Sequence, residues 1–145
     1  NLGVPVLIPE DYVPDLDVRL GLYRRLSGLT SKVELEGFAA ELIDRFGPLP
    51  KEVNGLLTVV RIKAMCKRAH IAKLDGGPKG ATLTFHEDKF PNPAGLVEFV
   101  QAQNGLARIK DNRVIVRRDW SKPRDKVQGA FAIARDLAER AKVPA

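Results

Sequence analysis

The run Phe46-Gly47-Pro48-Leu49-Pro50 limits the possible folds of this chain more than any other stretch. Proline has no N–H and holds φ near −65°, so neither proline can sit inside a helix. Each also drives the residue before it towards extended backbone. Yet the apolar spacing on both sides is helical, so the chain must turn a rigid corner between two helices. Upstream, from Lys32 to Phe46, residues advance about 100° each around a helix. Leu35, Phe38, Ala39, Leu42, Ile43 and Phe46 then fill one arc, and Glu34, Glu41, Asp44 and Arg45 fall outside it. Gly47 suits the position just past the helix end. Pro48 cannot donate the second bond of a Schellman motif, which predicts a single-bond αL cap. Pro50 suits the first turn of the next helix, expected from Pro50 to about Ala69. That helix has Val53, Leu56, Leu57, Val60 and Ala64 on one side and Val59, Ile62, Met65 and Cys66 on another, which predicts a place between layers.

Around this corner the other elements follow from period and punctuation. Val4-Pro5-Val6-Leu7-Ile8-Pro9 reads as extended, and residues 1–12 as a linker entering from an upstream module. A first helix opens at Pro14-Asp15 and ends near Ser27-Gly28. Beyond Ala69 the period changes to two. Ile71–Leu74 and Ala81–Phe85 read as strands around Gly76-Gly77-Pro78-Lys79-Gly80, and Leu106–Ile109 and Val114–Arg117 as a second pair turned at Asp111-Asn112. Between the pairs a helix over Pro93–Gln103 points Leu96, Val97, Phe99 and Val100 inward. A last helix runs from Lys122 to Ala141, with Val127, Ala130, Phe131, Ala134, Leu137 and Ala138 on its apolar arc. The expected fold is α+β: a helical corner packed on a small antiparallel sheet, closed by the C-terminal helix, with residues 13–145 forming one domain.

Composition narrows the function classes. A single cysteine, Cys66, excludes an internal disulfide and fits a reducing, cytoplasmic setting. No apolar run reaches the length of a membrane span, and the start at Asn1 without methionine suggests a piece of a longer protein. Charge is uneven. Residues 1–50 carry five Lys/Arg against eight Asp/Glu, and residues 51–145 carry nineteen against ten. The basic part suggests a surface for an acidic partner or a nucleic acid.

The chemical motifs are weak. The glycine-rich segment 76–80 joins two strands and lacks the phosphate-loop pattern, so it reads as a hairpin turn. His70, His86 and Cys66 show no metal-ligand spacing, and Cys66 beside Met65 reads as core. Basic residues are dense from 108 to 126. Arg108, Arg113, Arg117, Arg118 and Lys122 surround Trp120, a pattern able to contact phosphates and stack a base. The competing reading is a solvated hairpin whose Trp120 covers the sheet edge. The corner resembles a helix-turn-helix only superficially, because Arg61, Lys63, Lys67 and Arg68 form no coherent groove-reading face.

Glu41, Asp44 and Arg45 remain, within about a 100° arc of the second helix. A Glu41–Arg45 pair at i,i+4 is worth about 0.3–0.5 kcal/mol. It does not account for Asp44, since an acid in the last turn opposes the helix dipole. A charged docking surface and a solvated helix end both fit these residues.

Two stretches resemble the C-terminal domain of the bacterial transcription-repair coupling factor family. One is Leu7-Ile-Pro-Glu-Asp-Tyr-Val-Pro-Asp-Leu-Asp-Val-Arg-Leu20 with Leu22-Tyr-Arg-Arg-Leu26, and the other is Glu41-Leu-Ile-Asp-Arg-Phe-Gly-Pro-Leu-Pro50. The resemblance is specific over residues 2–75, and from 76 to 145 it rests on the order of elements. It implies a parent that is an ATP-driven, helicase-like translocase on double-stranded DNA. Such a parent displaces stalled RNA polymerase and recruits nucleotide-excision repair. ATP and magnesium would belong to motor domains absent from this chain, so the resemblance implies a regulatory module with no catalysis or cofactor of its own. In the family this module folds back on a UvrB-like N-terminal module, masks its UvrA-binding surface and restrains the motor. The resemblance assigns Glu41, Asp44 and Arg45 to that contact. The alternative is a nucleic-acid-binding module built on residues 108–126.

Overall fold

Local hydrogen bonds set the helix ends. In this computed structural model, which describes residue 2 and residues 6–143, the Asp15 carboxylate accepts the Val18 N–H at 3.0 Å and opens α1 (Leu16–Ser27). Ser31 and Glu34 form a reciprocal capping box at the start of α2 (Lys32–Phe46). The Glu34 carboxylate also accepts the Thr30 N–H, and these bonds, that of Thr30 foremost, hold it below the usual carboxylate range.

At the corner, a single bond from the Gly47 N–H to the Ile43 carbonyl, 2.9 Å, closes α2. The conformation is not the αL one expected. Gly47 has φ 95° and ψ −170°, a region open essentially to glycine. Pro48 supplies the reason, because the residue before a proline must keep an extended ψ. The Val53 and Asn54 N–H groups both reach the Pro50 carbonyl at 3.1 Å, so Pro50 stands just outside α3 (Lys51–Arg68) instead of in its first turn. The Tyr12 hydroxyl sits against the corner, 2.7 Å from the Gly47 carbonyl and 3.1 Å from that of Leu42. Its ring meets Phe46 at 5.7 Å between centroids.

Two compact units divide the chain within α3, between Ala64 and Met65, and Leu2 belongs with the second. The core of the first contains Ile8, Val13, Leu22, Leu26, Leu35, Phe38, Leu42 and Val53. Residues 6–12, assigned above to the linker, thus contribute Ile8 to this core and Tyr12 to the corner. Val4 and Pro5 of the expected extended segment lie outside the described residues. Ile43, placed on the core arc from its spacing, is 48% exposed at the end of α2.

The second unit contains β1 (Ile71–Gly77), β2 (Gly80–Phe85), a short 3-10 turn (His86–Asp88), α4 (Pro93–Ala102), β3 (Ala107–Lys110), β4 (Arg113–Arg117) and α5 (Pro123–Arg140). The strands form one antiparallel sheet in the order β1-β2-β4-β3. The expected five-residue glycine loop shrinks to Pro78-Lys79, and Gly76, Gly77 and Gly80 lie in the strands. Gly80 has φ 131°, and a Cβ there would stand 1.9 Å from the Val116 carbonyl oxygen, so only glycine lets β4 approach β2 this closely. Asp111 and Asn112 both take positive φ, 52° and 61°, as the two-residue hairpin turn requires.

One sheet face buries Leu74, Ala81, Leu83, Val114, Val116 and Ala107. α5 covers that face at the β1 side, where Gly76 meets Lys126. Asn92 donates to the carbonyls of Arg140 and Lys142 at 3.1 Å and so caps the end of α5 from the start of α4. Of the residues expected inward on α4, Phe99 is buried but Val97 is 50% exposed. On α5 the buried set includes Ile133, which the sequence arc omitted. The architecture is α+β, as expected.

Candidate functional site

The three charged residues of α2 differ sharply in environment. The Glu41 carboxylate accepts two hydrogen bonds from the Arg25 guanidinium, at 2.7 and 2.8 Å, and a third from Arg45 at 3.0 Å. The Arg25 contact is a parallel fork, the strongest form of this pairing. Arg25 first, and Arg45 second, draw the Glu41 carboxyl down to about 2. Each guanidinium also lies over an aromatic ring, Arg25 over Phe38 at 5.3 Å and Arg45 over Phe46 at 4.9 Å. Glu41 therefore clips α1 to α2, and its two arginines rest on side chains from the core arc. The i,i+4 pair seen in the sequence exists, but Arg25 was missed. It stands sixteen residues from Glu41, and no local spacing marks such a partner.

Asp44 is exposed, and its carboxylate makes no hydrogen bond or ion pair among the described residues. Beside it lies the half-exposed Ile43. Val33, 77% exposed, lies farther along the same side of α2. The helix end thus presents a free acid, an apolar side chain and an arginine whose charge is partly engaged.

The basic residues of the second unit also separate. Arg108, Arg113 and Arg117 are exposed on the strands, and Lys122 is exposed at the start of α5. Trp120 is unavailable for stacking on a base. It is 4% exposed, and a Cβ at Gly129 would lie 2.4 Å from its ring, so the indole rests directly on the backbone of α5. The backbone N–H of Trp120 donates to the Pro78 carbonyl at 2.7 Å, which ties this residue to the β1–β2 turn. Arg118 is likewise occupied. It donates to the Gln103 side chain and to the Arg117 carbonyl. Trp120 is therefore a packing residue and not a stacking platform, and Arg118 is partly engaged within its own unit.

Two further groups are defined. Burial pushes the Cys66 thiol up to about 11, which leaves it protonated near neutral pH. His70 and His86, remote in sequence, meet edge to face at 6.2 Å, because the His86 N–H bonds the His70 carbonyl where β2 ends opposite β1. No group of three metal-ligating side chains occurs among the described residues. No helix among them is long and apolar enough to cross a membrane.

These features define a small α+β module with a clipped helical corner in one unit and a twisted antiparallel sheet in the other. The TRCF domain family model matches residues 2–96, and the chain belongs to that family as a C-terminal domain of a transcription-repair coupling factor. It is 41% identical over 116 residues to the transcription-repair-coupling factor of Rickettsia conorii, covering 79% of this chain and 10% of that protein. Against the Escherichia coli K12 protein of the same name it is 34% identical over 142 residues, covering 97% of this chain and 12% of that protein. The chain thus spans about a tenth of the length of these curated relatives. The fold matches a crystal structure of the C-terminal domain of transcription-repair coupling factor with a TM-score of 0.80 at 20% identity, covering 95% of this chain and 89% of that one.

Proposed function

We propose that this module is an autoinhibitory clamp. The end of α2 docks on a UvrB-like N-terminal module of the same polypeptide. It masks that module's UvrA-binding surface and restrains an ATP- and magnesium-dependent DNA motor until RNA polymerase is engaged in the cytoplasm. The observation that carries this reading is Asp44: an exposed acid with no described partner, in the helix turn where it opposes the dipole, next to the half-exposed Ile43. Asp44 is exposed, and Ile43 leaves about half of its surface uncovered, at 48% exposure.

The geometry divides the labour. Glu41 is a positioning residue, because its oxygens are already taken by Arg25 and Arg45. Asp44 and Ile43 are the contacting residues, and Arg45 can turn its free edge to an acid opposite. The partner surface should therefore offer a cation to Asp44 and an apolar hollow to Ile43. Such a contact fixes register, and its desolvation cost keeps it releasable. Release is a population shift between masked and open states.

The test is Asp44→Arg combined with Ile43→Asp in the full-length protein. Both side chains face solvent in this domain, so the fold should survive. Basal ATPase and UvrA binding should both rise. Wild-type values for both, with the domain folded, would refute docking through this surface.

A further inference from the structure

We infer that the outer face of the sheet binds the phosphate backbone of duplex nucleic acid. This rests on the strand register and is independent of the clamp. β4 alternates in burial, while in β3 only Ala107 is buried and the faces follow from its register with β4, which leaves Ile109 on the Val114 side but 55% exposed. Val114, Val116 and Ala107 point into the core, which places Arg113, Ile115, Arg117, Arg108 and Lys110 on the opposite face. In register, Lys110 stands directly opposite Arg113, and Arg108 stands opposite Ile115. Arg108 is therefore diagonal to both Arg113 and Arg117, at about 7–8 Å by sheet geometry. All four cations are exposed.

This grouping works against the fold. Like charges directly opposite across two strands are destabilising, and Lys110–Arg113 is such a pair. Acids offer little relief. Asp75 on β1 lies within 3.6 Å of Lys73, and Asp111 sits in the turn at the end of the pair. A bound polyanion would turn the repulsion into attraction. The neighbouring strand supplies suitable company. Thr82 and Thr84 of β2 pair with Ile115 and Arg113, so two hydroxyls lie beside the cations, and hydroxyls are common phosphate donors.

The face also discriminates among polyanions. Binding of single strands depends on aromatic side chains that stack bases, and the outer strand positions named here carry none, with Trp120 buried elsewhere. An acidic protein partner would require an apolar interface core, whereas Ile115, half-buried, is the one apolar side chain among these cations and hydroxyls. Backbone phosphates of a duplex need neither.

The experiment is fluorescence anisotropy of the 145-residue chain with a labelled DNA duplex across salt concentrations. Four phosphate contacts predict a slope of log affinity against log salt of about −3 to −4, a loss of about a hundredfold between about 50 and 200 mM. Arg108→Glu with Arg113→Glu should abolish binding. Arg24→Glu, the same substitution at a single exposed site in the first unit, should leave the slope unaltered. Circular dichroism confirms folding in each case. No binding at low salt, or full binding by the double variant, overturns the inference. Tighter binding to the matching single strand, or equal competition by polyglutamate, overturns it as well, in favour of a single strand or an acidic protein.

Discussion

Gly129 lies in the middle of α5, where glycine normally weakens a helix. Replacing glycine with alanine at an open helical site gains about 0.8–1.0 kcal/mol. Gly37 in α2 is such a site, since a Cβ there meets nothing within 4 Å. Gly129 is the opposite case. A Cβ would come within 2.4–2.5 Å of three atoms of the Trp120 indole, and that ring is 4% exposed, with its backbone N–H bonded to Pro78. The ring cannot retreat into solvent, so the methyl must displace either the indole or α5. Overpacking of this kind costs about 1–3 kcal/mol. The propensity gain is common to both substitutions, so subtracting one from the other leaves the steric cost alone. Gly129→Ala should therefore be less stable than Gly37→Ala by about 1–3 kcal/mol, and Gly37→Ala should exceed the wild type. Urea denaturation followed by far-ultraviolet circular dichroism measures both, provided the slope m is common to all three proteins. Equal stability of the two variants would refute the close seating of Trp120 on α5.

Two further outcomes concern titrating groups. Carbon-detected NMR should find Glu41 titrating near 2, and Arg25→Ala should move it back towards 4.5, because the Arg25 fork is the largest cause of its depression. The folded value is the lower one, so the contribution of Glu41 to stability is complete above about pH 4.5 and is lost as pH falls towards 2. Salt should weaken it, since the cluster is open to solvent. Cys66, with its thiol near 11, should be alkylated by iodoacetamide at pH 8 far more slowly in the folded chain than in urea. Equal rates would contradict its burial.

Sequence and structure agree where local rules dominate. The proline corner, the bounds of α2 and the turn at Asp111-Asn112 are dictated by residues within a few positions of one another, and all were legible. Membership of the family was legible too, from the runs Leu7–Leu26 and Glu41–Pro50. Local misses were small, the cap conformation at Gly47 and the place of Pro50 just outside α3, and the larger ones are non-local. Arg25 reaches Glu41 from another helix. Gly80 and Gly129 are set by a neighbouring strand and by a tryptophan, not by turn chemistry. Trp120 among basic residues fitted either base stacking or cover for the sheet edge, and its seat on α5 depends on a glycine nine positions away that only the packed structure pairs with it. Ile43 and Val97 sat at the edges of apolar arcs, where helical angle alone does not decide between core and solvent.

The placement of Trp120 also makes the chain a natural optical reporter. It is the sole tryptophan, and it lies in the second unit; both tyrosines, Tyr12 and Tyr23, lie in the first. Tryptophan emission therefore follows one unit, and tyrosine near-ultraviolet dichroism follows the other through the hydroxyls of Tyr12, against the Gly47 carbonyl, and Tyr23, which accepts the Ile8 N–H. Coincident melting of the two signals would mark a single cooperative transition, and separated melting would mark two. The unlabelled protein thus carries its own measure of whether a perturbation in one unit is felt in the other.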